Sequence, residues 1–305
     1  MHKDIPSRNL TLAWLILVIL ALVWGSSFIL IKRGLLSFSS SEVGALRVSI
    51  TFLVLSPLAL ARLKTVTRRD WGYLALVGLV GSLFPAFLFA KAQTGIDSNL
   101  AGILNSLTPL FTLIIGLTFF SLKVKWFNIA GVLVGLIGAV GLISVSGGRN
   151  FEFNFQYAIY IIIATILYAT NVNLVKYRLK DTDAITITSF SFLVIGLPVI
   201  LYLLIFTDFL HKIGQDKESW ASLGYISILA VAGTALALIA FNKLVKLASP
   251  LFAASVTYLI PIVAIFWGLI DGENILPVSF LWMALILFGI LLVNKKKITI
   301  GKSGS

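Results

Sequence analysis

An all-α polytopic membrane protein, its ten transmembrane helices arranged as two inverted five-helix repeats, is the fold class that this 305-residue chain predicts. Composition is the first observation: 59% of the residues are hydrophobic and only 12% charged, whereas soluble domains are about a quarter charged. The second is that apolar stretches of about 20 residues, each able to cross roughly 30 Å of hydrocarbon as a helix, recur along the whole chain. The third is a duplicated phrase. Leu104, Asn105, Ser106, Leu107, Thr108, Pro109, Leu110 in the fourth stretch is echoed by Val256, Thr257, Tyr258, Leu259, Ile260, Pro261, Ile262 in the ninth. Five crossings separate the copies, and an odd offset inverts one relative to the other in the bilayer. Closed barrels are excluded because their strands alternate polar and apolar residues, which these runs do not.

Each span carries its own signal. The first, Leu10 to Ile31, places Trp24, Ser27 and Phe28 on one face by i, i+3, i+4 spacing, and it lacks the small-residue cleavage pattern of a signal peptide. The second, Val43 to Leu60, holds Arg47, the one charge well inside a span, and Pro57. The third, Trp71 to Ala90, opens on a tryptophan and contains Pro85. In the fourth, Leu100 to Leu122, Asn105, Thr108 and Thr112 form a polar stripe around Pro109. The fifth, Phe127 to Val145, repeats glycine at Gly131, Gly135, Gly138 and Gly141, a spacing that permits close helix contact within one chain or with a second copy. Gly147, Gly148, Arg149 and Asn150 then join the halves.

The second half restarts with Phe155 to Val175, where Thr165, Tyr168 and Asn171 share a face beside Asn173. Ile185 to Phe206 is the seventh span, with Pro198. Ala221 to Leu244 follows Trp220, as the third span opens on Trp71. Leu251 to Ile270 sets Ser255 and Tyr258 one turn apart before Pro261, and Leu276 to Val293 closes the series. No loop exceeds roughly 15 residues, which leaves no room for a soluble catalytic domain of ordinary size.

Charge sets the orientation. With the amino terminus inside, most of the 24 basic residues fall in cytoplasmic segments, among them Arg62, Lys64, Arg68, Arg69, Lys123, Lys125, Lys176, Arg178, Lys180, Lys243, Lys246 and Lys295 to Lys297. Most acids, including Glu42, Asp97, Glu152, Asp208 and Glu273, fall outside. This is the positive-inside pattern, and it predicts that both termini are cytoplasmic. The net charge of +12 is therefore topology and not a nucleic-acid footprint. Zero cysteines exclude disulfides and thiolate metal sites. No cofactor, metal or catalytic group is implied.

The halves also align at Lys32 and Lys176. Trp24, Gly25, Ser26, Ser27, Phe28 then stands opposite Tyr168, Ala169, Thr170, Asn171, Val172, and the repeats become residues 1–147 and 153–305. On Trp24 to Phe28, Leu46 with Arg47, Leu107 to Leu110, Leu259 to Ile262, and Gly272 with Glu273, the chain resembles ten-helix members of the drug/metabolite transporter superfamily built from two EamA modules. One departure is that the acidic residue after the fourth helix of that family falls here at Ser121. The resemblance implies a secondary transporter in the inner membrane that moves small organic metabolites by alternating access, with amino acids or related compounds in the export direction favoured. It implies a small-molecule substrate and the bilayer as partners, and a monomer or weak homodimer.

Polar residues inside spans are costly in lipid and face cavities or partner helices. The candidate substrate-binding residues are Trp24, Ser27, Arg47, Asn105, Tyr168, Asn171 and Tyr258, with Pro109 and Pro261 as paired hinges because each removes a backbone hydrogen bond. Each has a plainer alternative. Ser27 and Thr108 can bond their own backbone, the asparagines can join helices, and aromatics can simply pack. Arg47 lies about five residues, or ~7.5 Å, from the outer helix end. From there it can hold a substrate anion, snorkel to the interface, or pair with a loop acid such as Asp97. From the residues alone, an integral membrane enzyme acting on lipid-linked substrates and a passive channel stay open as rival readings. The first would need paired acidic or histidine motifs at one membrane face, and the second a ring of pore-lining groups.

Overall fold

A computed structural model describes residues 7–96, 98–146, 154–215, 217–270 and 276–294. They form α1 (Ser7–Gly25), α2 (Ser27–Gly34), α3 (Ser40–Ala61), α4 (Arg68–Gly78), α5 (Phe84–Ala92), α6 (Ser98–Asn105), α7 (Thr108–Phe119) and α8 (Trp126–Ser146), followed by α9 (Phe155–Tyr177), α10 (Ala184–Phe206), α11 (Phe209–Lys212), α12 (Lys217–Ala230), α13 (Ala237–Leu247), α14 (Pro250–Ala254), α15 (Val256–Ile270) and α16 (Val278–Asn294). No strand occurs among the described residues. Among the described residues, six helical segments are long and apolar enough to cross a membrane: Leu10–Gly34, Ser40–Ala61, Arg68–Ala92, Phe155–Tyr177, Ala184–Phe206 and Lys217–Leu247. Shorter apolar helices cover Thr108–Phe119, Trp126–Leu142, Pro250–Val263 and Val278–Asn294. The linker Gly147 to Asn150, Asp97, Gly272 and Glu273 lie outside the described residues.

Two of the long segments contain a wide, π-helical turn. Leu79–Leu83 joins α4 to α5, and Val231–Leu236 joins α12 to α13. Each inserts an extra residue into the turn, which loosens the regular hydrogen-bond ladder and re-aims the side chains that follow.

Helices α3 and α10 form an antiparallel pair tied at both ends. Ser39 caps α3 in a capping box with Glu42: its hydroxyl accepts from the Glu42 N–H, while Glu42 Oε2 accepts from the Ser39 N–H at 2.7 Å. The same carboxylate receives Lys212 Nζ at 2.7 Å from beyond the end of α10. At the other end Asp183 caps α10, accepting the N–H groups of Ile185 and Thr186 at 3.1 Å each, and pairs with Arg62 beyond α3 at 2.9 Å. The acid that starts one helix thus meets the base that follows the other, which fits only antiparallel packing. Between the two clasps the Phe52 ring lies so close to Gly196 that a Cβ there would sit 2.1 Å from Cγ.

The Asp183 clasp has a pH signature. Partial burial pushes its carboxyl up, but hydrogen bonds from the Thr186 hydroxyl and N–H, with the Arg62 charge and the Ile185 N–H, together hold it below the ordinary carboxylate range. A lowered folded value means the stabilisation is complete above the ordinary range and is lost as pH falls through the lowered value. Asp183→Ala therefore costs about 1 kcal/mol through the lost cap and flattens the acid limb of the stability profile. Thermal unfolding of both proteins between neutral and acid pH measures it; equal slopes would remove Asp183 from the account.

The glycine row of α8 packs on α16 of the same chain, with Gly135 also lying under the Tyr258 ring of α15. A Cβ on Gly131 would lie 2.6 Å from the Val293 nitrogen, and one on Gly289 would lie 2.5 Å from the Gly135 nitrogen. Backbone meets backbone there, and Asn128 Nδ2 seals the contact by donating to the Val293 carbonyl at 2.8 Å. On another face, two lysines cap each other's helices. Lys176 Nζ donates to the carbonyls of Val245, Lys246 and Ala248 at the end of α13, and Lys246 Nζ donates to those of Leu179 and Lys180 just past α9.

The prolines behave differently from one another. Pro109 stands in the first turn of α7, just after the helix is interrupted between Asn105 and Thr108, where its missing N–H costs nothing. Pro261 sits inside α15, and the nearest break is upstream at Ser255. With the prolines aligned the two breaks are out of register, whereas the sequence leads one to expect matching kinks.

Candidate functional site

The two wide turns, α1, α2, α3, α5, α7, α9 and α13 surround a central cavity, closed further by α6, α10, α14 and α15. The space between its atoms is about 900 Å³, mouth included. Trp24, Ser27, Arg47, Asn105, Tyr168 and Asn171 all line it. Helical spacing brings them together: on α9, Tyr168 and Asn171 are one turn apart, as Trp24 and Ser27 are around the α1–α2 joint.

Aromatic rings wall the cavity in two pairs. The Trp24 ring lies 5.1 Å from Phe241, and its Nε1–H donates to the Gly233 carbonyl at 3.0 Å. The Tyr168 ring stacks on Phe89 at 5.8 Å. Phe28 and Phe192 extend the apolar surface.

Arg47 is the charged residue of the lining. Its Nε–H donates to Thr234 Oγ1 at 2.7 Å, and its guanidinium faces the Tyr168 hydroxyl. The ion pairs among the described residues are Arg62 with Asp183 and Lys212 with Glu42, so no carboxylate there neutralises Arg47. It turns inward to the cavity. Removing a guanidinium from water costs several kcal/mol unless a partner compensates, and here that cation stands in a mostly apolar chamber.

The other polar side chains divide. Ser27 donates to the Val23 carbonyl at 2.9 Å and Thr108 to that of Asn105 at 2.7 Å, both local backbone bonds. Their remaining lone pairs still border the cavity. The Asn171 amide lies flat against Gly81, whose Cβ would be 2.6 Å from Cγ, and its buried Oδ1 has no hydrogen-bond donor. Asn173 instead joins α9 to α7, donating to the Thr112 carbonyl at 3.1 Å.

Tyr258 is not part of the lining. Its ring covers Gly135 and its hydroxyl donates to the Val132 carbonyl at 2.8 Å, with the side chain fully buried. The rotation of α15 turns it to α8, while Thr257 and Ile260 face the cavity in its place. Sequence reasoning overlooked Thr234. A signal existed: at the offset that aligns Pro109 with Pro261, Gly233 and Thr234 match Gly81 and Ser82, both of which border the same cavity.

Known proteins resemble this chain in fold and in sequence. A solved structure superimposes with a TM-score of 0.69 over 92% of this chain and 95% of its own, and its 18% identity speaks to the fold alone. The uncharacterized inner membrane transporter YedA of Escherichia coli (strain K12) is 26% identical over 281 residues, covering 91% of this chain and 89% of its own. An uncharacterized transporter of Archaeoglobus fulgidus is 23% identical, covering 93% and 99%. A probable terminal-alkyne amino-acid exporter of Streptantibioticus cattleyicolor is also 23% identical, covering 94% of each. These relatives are named as transporters, not enzymes. The EamA-like transporter family model matches residues 11–144 and again 156–295, most of the sequence, and the chain belongs to that family.

Proposed function

We propose that the protein is a secondary transporter that carries small organic metabolites, amino acids and related compounds foremost, out of the cell by alternating access around the central cavity. The observation that carries this is Arg47: a cation without a carboxylate partner among the described residues, set in an aromatic-walled chamber. Such a chamber suits a solute with one anionic group and an apolar body. The relative named a probable terminal-alkyne amino-acid exporter supports both the solute class and the direction.

In this reading the six long and the shorter apolar helices make ten crossings, as two inverted repeats over 1–147 and 153–305, with both termini cytoplasmic. Paired contacts support it. Aligning Lys32 with Lys176 sets Trp24 against Tyr168, and aligning Pro109 with Pro261 sets Phe89 against Phe241 and one wide turn against the other. The two aromatic pairs, Trp24–Phe241 and Tyr168–Phe89, are then the same contact made twice, each half lending a ring to the other. The clasps fit the topology as well, since Glu42 and Lys212 belong to outer segments and Arg62 and Asp183 to inner ones.

Purified protein in liposomes tests the function. Preloading with unlabelled amino acids should accelerate uptake of labelled ones, and the rate should saturate. Flux that neither saturates nor responds to solute on the far side would identify a channel and overturn the reading.

A further inference from the structure

The wide turn Val231–Leu236 touches both principal recognition groups of the cavity. The Gly233 carbonyl holds the Trp24 indole, and Thr234 holds Arg47. Thr234 Oγ1 spends its proton on the Leu229 carbonyl, five residues back, at 3.0 Å, so its lone pair is what Arg47 Nε–H meets at 2.7 Å. A second tie fixes the same two elements: Thr51 Oγ1, one turn along α3 from Arg47, reaches the carbonyls of Arg47 and Ala230 at 2.8 and 3.0 Å. The guanidinium is thereby gripped along its Nε edge.

A gripped Nε edge decides how an anion can approach. Guanidinium binds a carboxylate in a two-bond fork either along the edge formed by Nε and one Nη or end-on through both Nη groups. Thr234 occupies the first, which leaves the end-on pair of Nη groups, beside the Tyr168 hydroxyl that the guanidinium faces. The aligned positions of the opposite half supply no second cation, since Arg47 aligns with Ser191 and Thr234 with Ser82, and no lysine among the described residues borders the cavity. One unpaired positive charge matches one negative charge, which favours a carboxylate over a doubly charged phosphate.

We infer that Thr234 is a positioning residue that presents the Nη end of Arg47 to its ligand, and that the ligand group it selects is a single carboxylate on a solute with an apolar or aromatic body. This rests on the transport reading above and goes further by naming the binding group and the residue that orients its partner.

The test uses the full chain in detergent, with thermal unfolding followed by tryptophan fluorescence. Each of the twenty common L-amino acids is the probe and, for each that stabilises, its carboxamide; inorganic phosphate is run alongside. Amino acids with large apolar side chains should stabilise the wild type and their carboxamides should not. Thr234→Val should raise the half-saturating concentration about tenfold while leaving the ligand-free Tm near that of wild type, Thr234→Ser should restore it, and Arg47→Ala should abolish the response. Should the valine variant fail to fold, Thr234→Ala carries the same comparison. An unchanged midpoint in Thr234→Val, with Arg47→Ala inactive, overturns the positioning role and leaves the transport reading standing. Carboxamides that bind as tightly as the acids, or stabilisation by phosphate alone, overturn the carboxylate assignment. No response to any amino acid, or an Arg47→Ala protein that responds like wild type, removes the transport reading with it.

Discussion

Arg47→Ala should reduce trans-stimulated uptake of amino acids at least about 100-fold while leaving the protein folded. Breaking a buried charge pair by deleting one partner costs about 3–5 kcal/mol, and each 1.4 kcal/mol is roughly a factor of ten in affinity. In the variant a bound carboxylate would face Phe28, Trp24 and Tyr168 with no counter-charge. Arg47→Lys should recover only part of the uptake, because an ammonium supplies a point charge but not the planar fork, and it has no Nε–H for Thr234. The stability effect should have the opposite sign. No carboxylate among the described residues compensates Arg47, so its removal relieves desolvation, and the ligand-free Tm should hold or rise. Initial rates in proteoliposomes, read beside the thermal midpoint and the elution profile of each variant, separate lost binding from lost folding. Uptake within twofold of wild type would exclude Arg47 from the substrate site.

Arg47 was legible in the sequence because a charge is too costly in lipid to stand mid-span without a task. Trp24, Ser27, Asn105, Tyr168 and Asn171 were legible for the same reason combined with helical spacing. That Tyr258 misses the cavity was not legible. Ser255 and Tyr258 share a face, but which neighbour that face meets depends on the rotation of α15, and the cue lay on another helix, in the Gly135 that its ring covers. The wide turns were also hidden. An extra residue per turn leaves no mark on composition or hydropathy, so Thr234, which grips Arg47, read as one more threonine in an apolar run. The helix interruption before Thr108 was masked by Pro109, which reads as a kink inside a span until the helix is seen to begin there. The six long apolar segments, by contrast, followed from hydropathy alone, since long apolar runs closed by basic or turn residues have few other ways to satisfy their backbone.

Gly289→Leu should abolish recovery of monodisperse folded protein. In a bilayer the lipid is as apolar as leucine, so helices associate through close van der Waals contact and not through a hydrophobic drive. The α8–α16 seam depends on that closeness. A Cβ on Gly289 would lie 2.5 Å from the nitrogen of Gly135, 2.7 Å from its Cα and 2.8 Å from the carbonyl oxygen of Gly131. All three are backbone atoms, which cannot rotate aside, so the helices must separate and the Asn128 bond to the Val293 carbonyl goes with them. Overpacking of this kind typically costs about 1–3 kcal/mol and occasionally more, and the rigid neighbours place this site at the upper end. Gly224 is the control. It lies in α12, where a Cβ would meet nothing within 4 Å, so Gly224→Ala should leave the Tm unchanged or raise it, because alanine is favoured over glycine in a helix by roughly 1 kcal/mol. Equal loss in both variants would mean that the closeness of the seam does not govern the result. The seam's distance from the recognition groups adds a discriminating outcome: any folded Gly289→Ala protein should bind amino acids with wild-type midpoints, because Arg47 and Thr234 are held by α3 and the wide turn, not by α8 or α16.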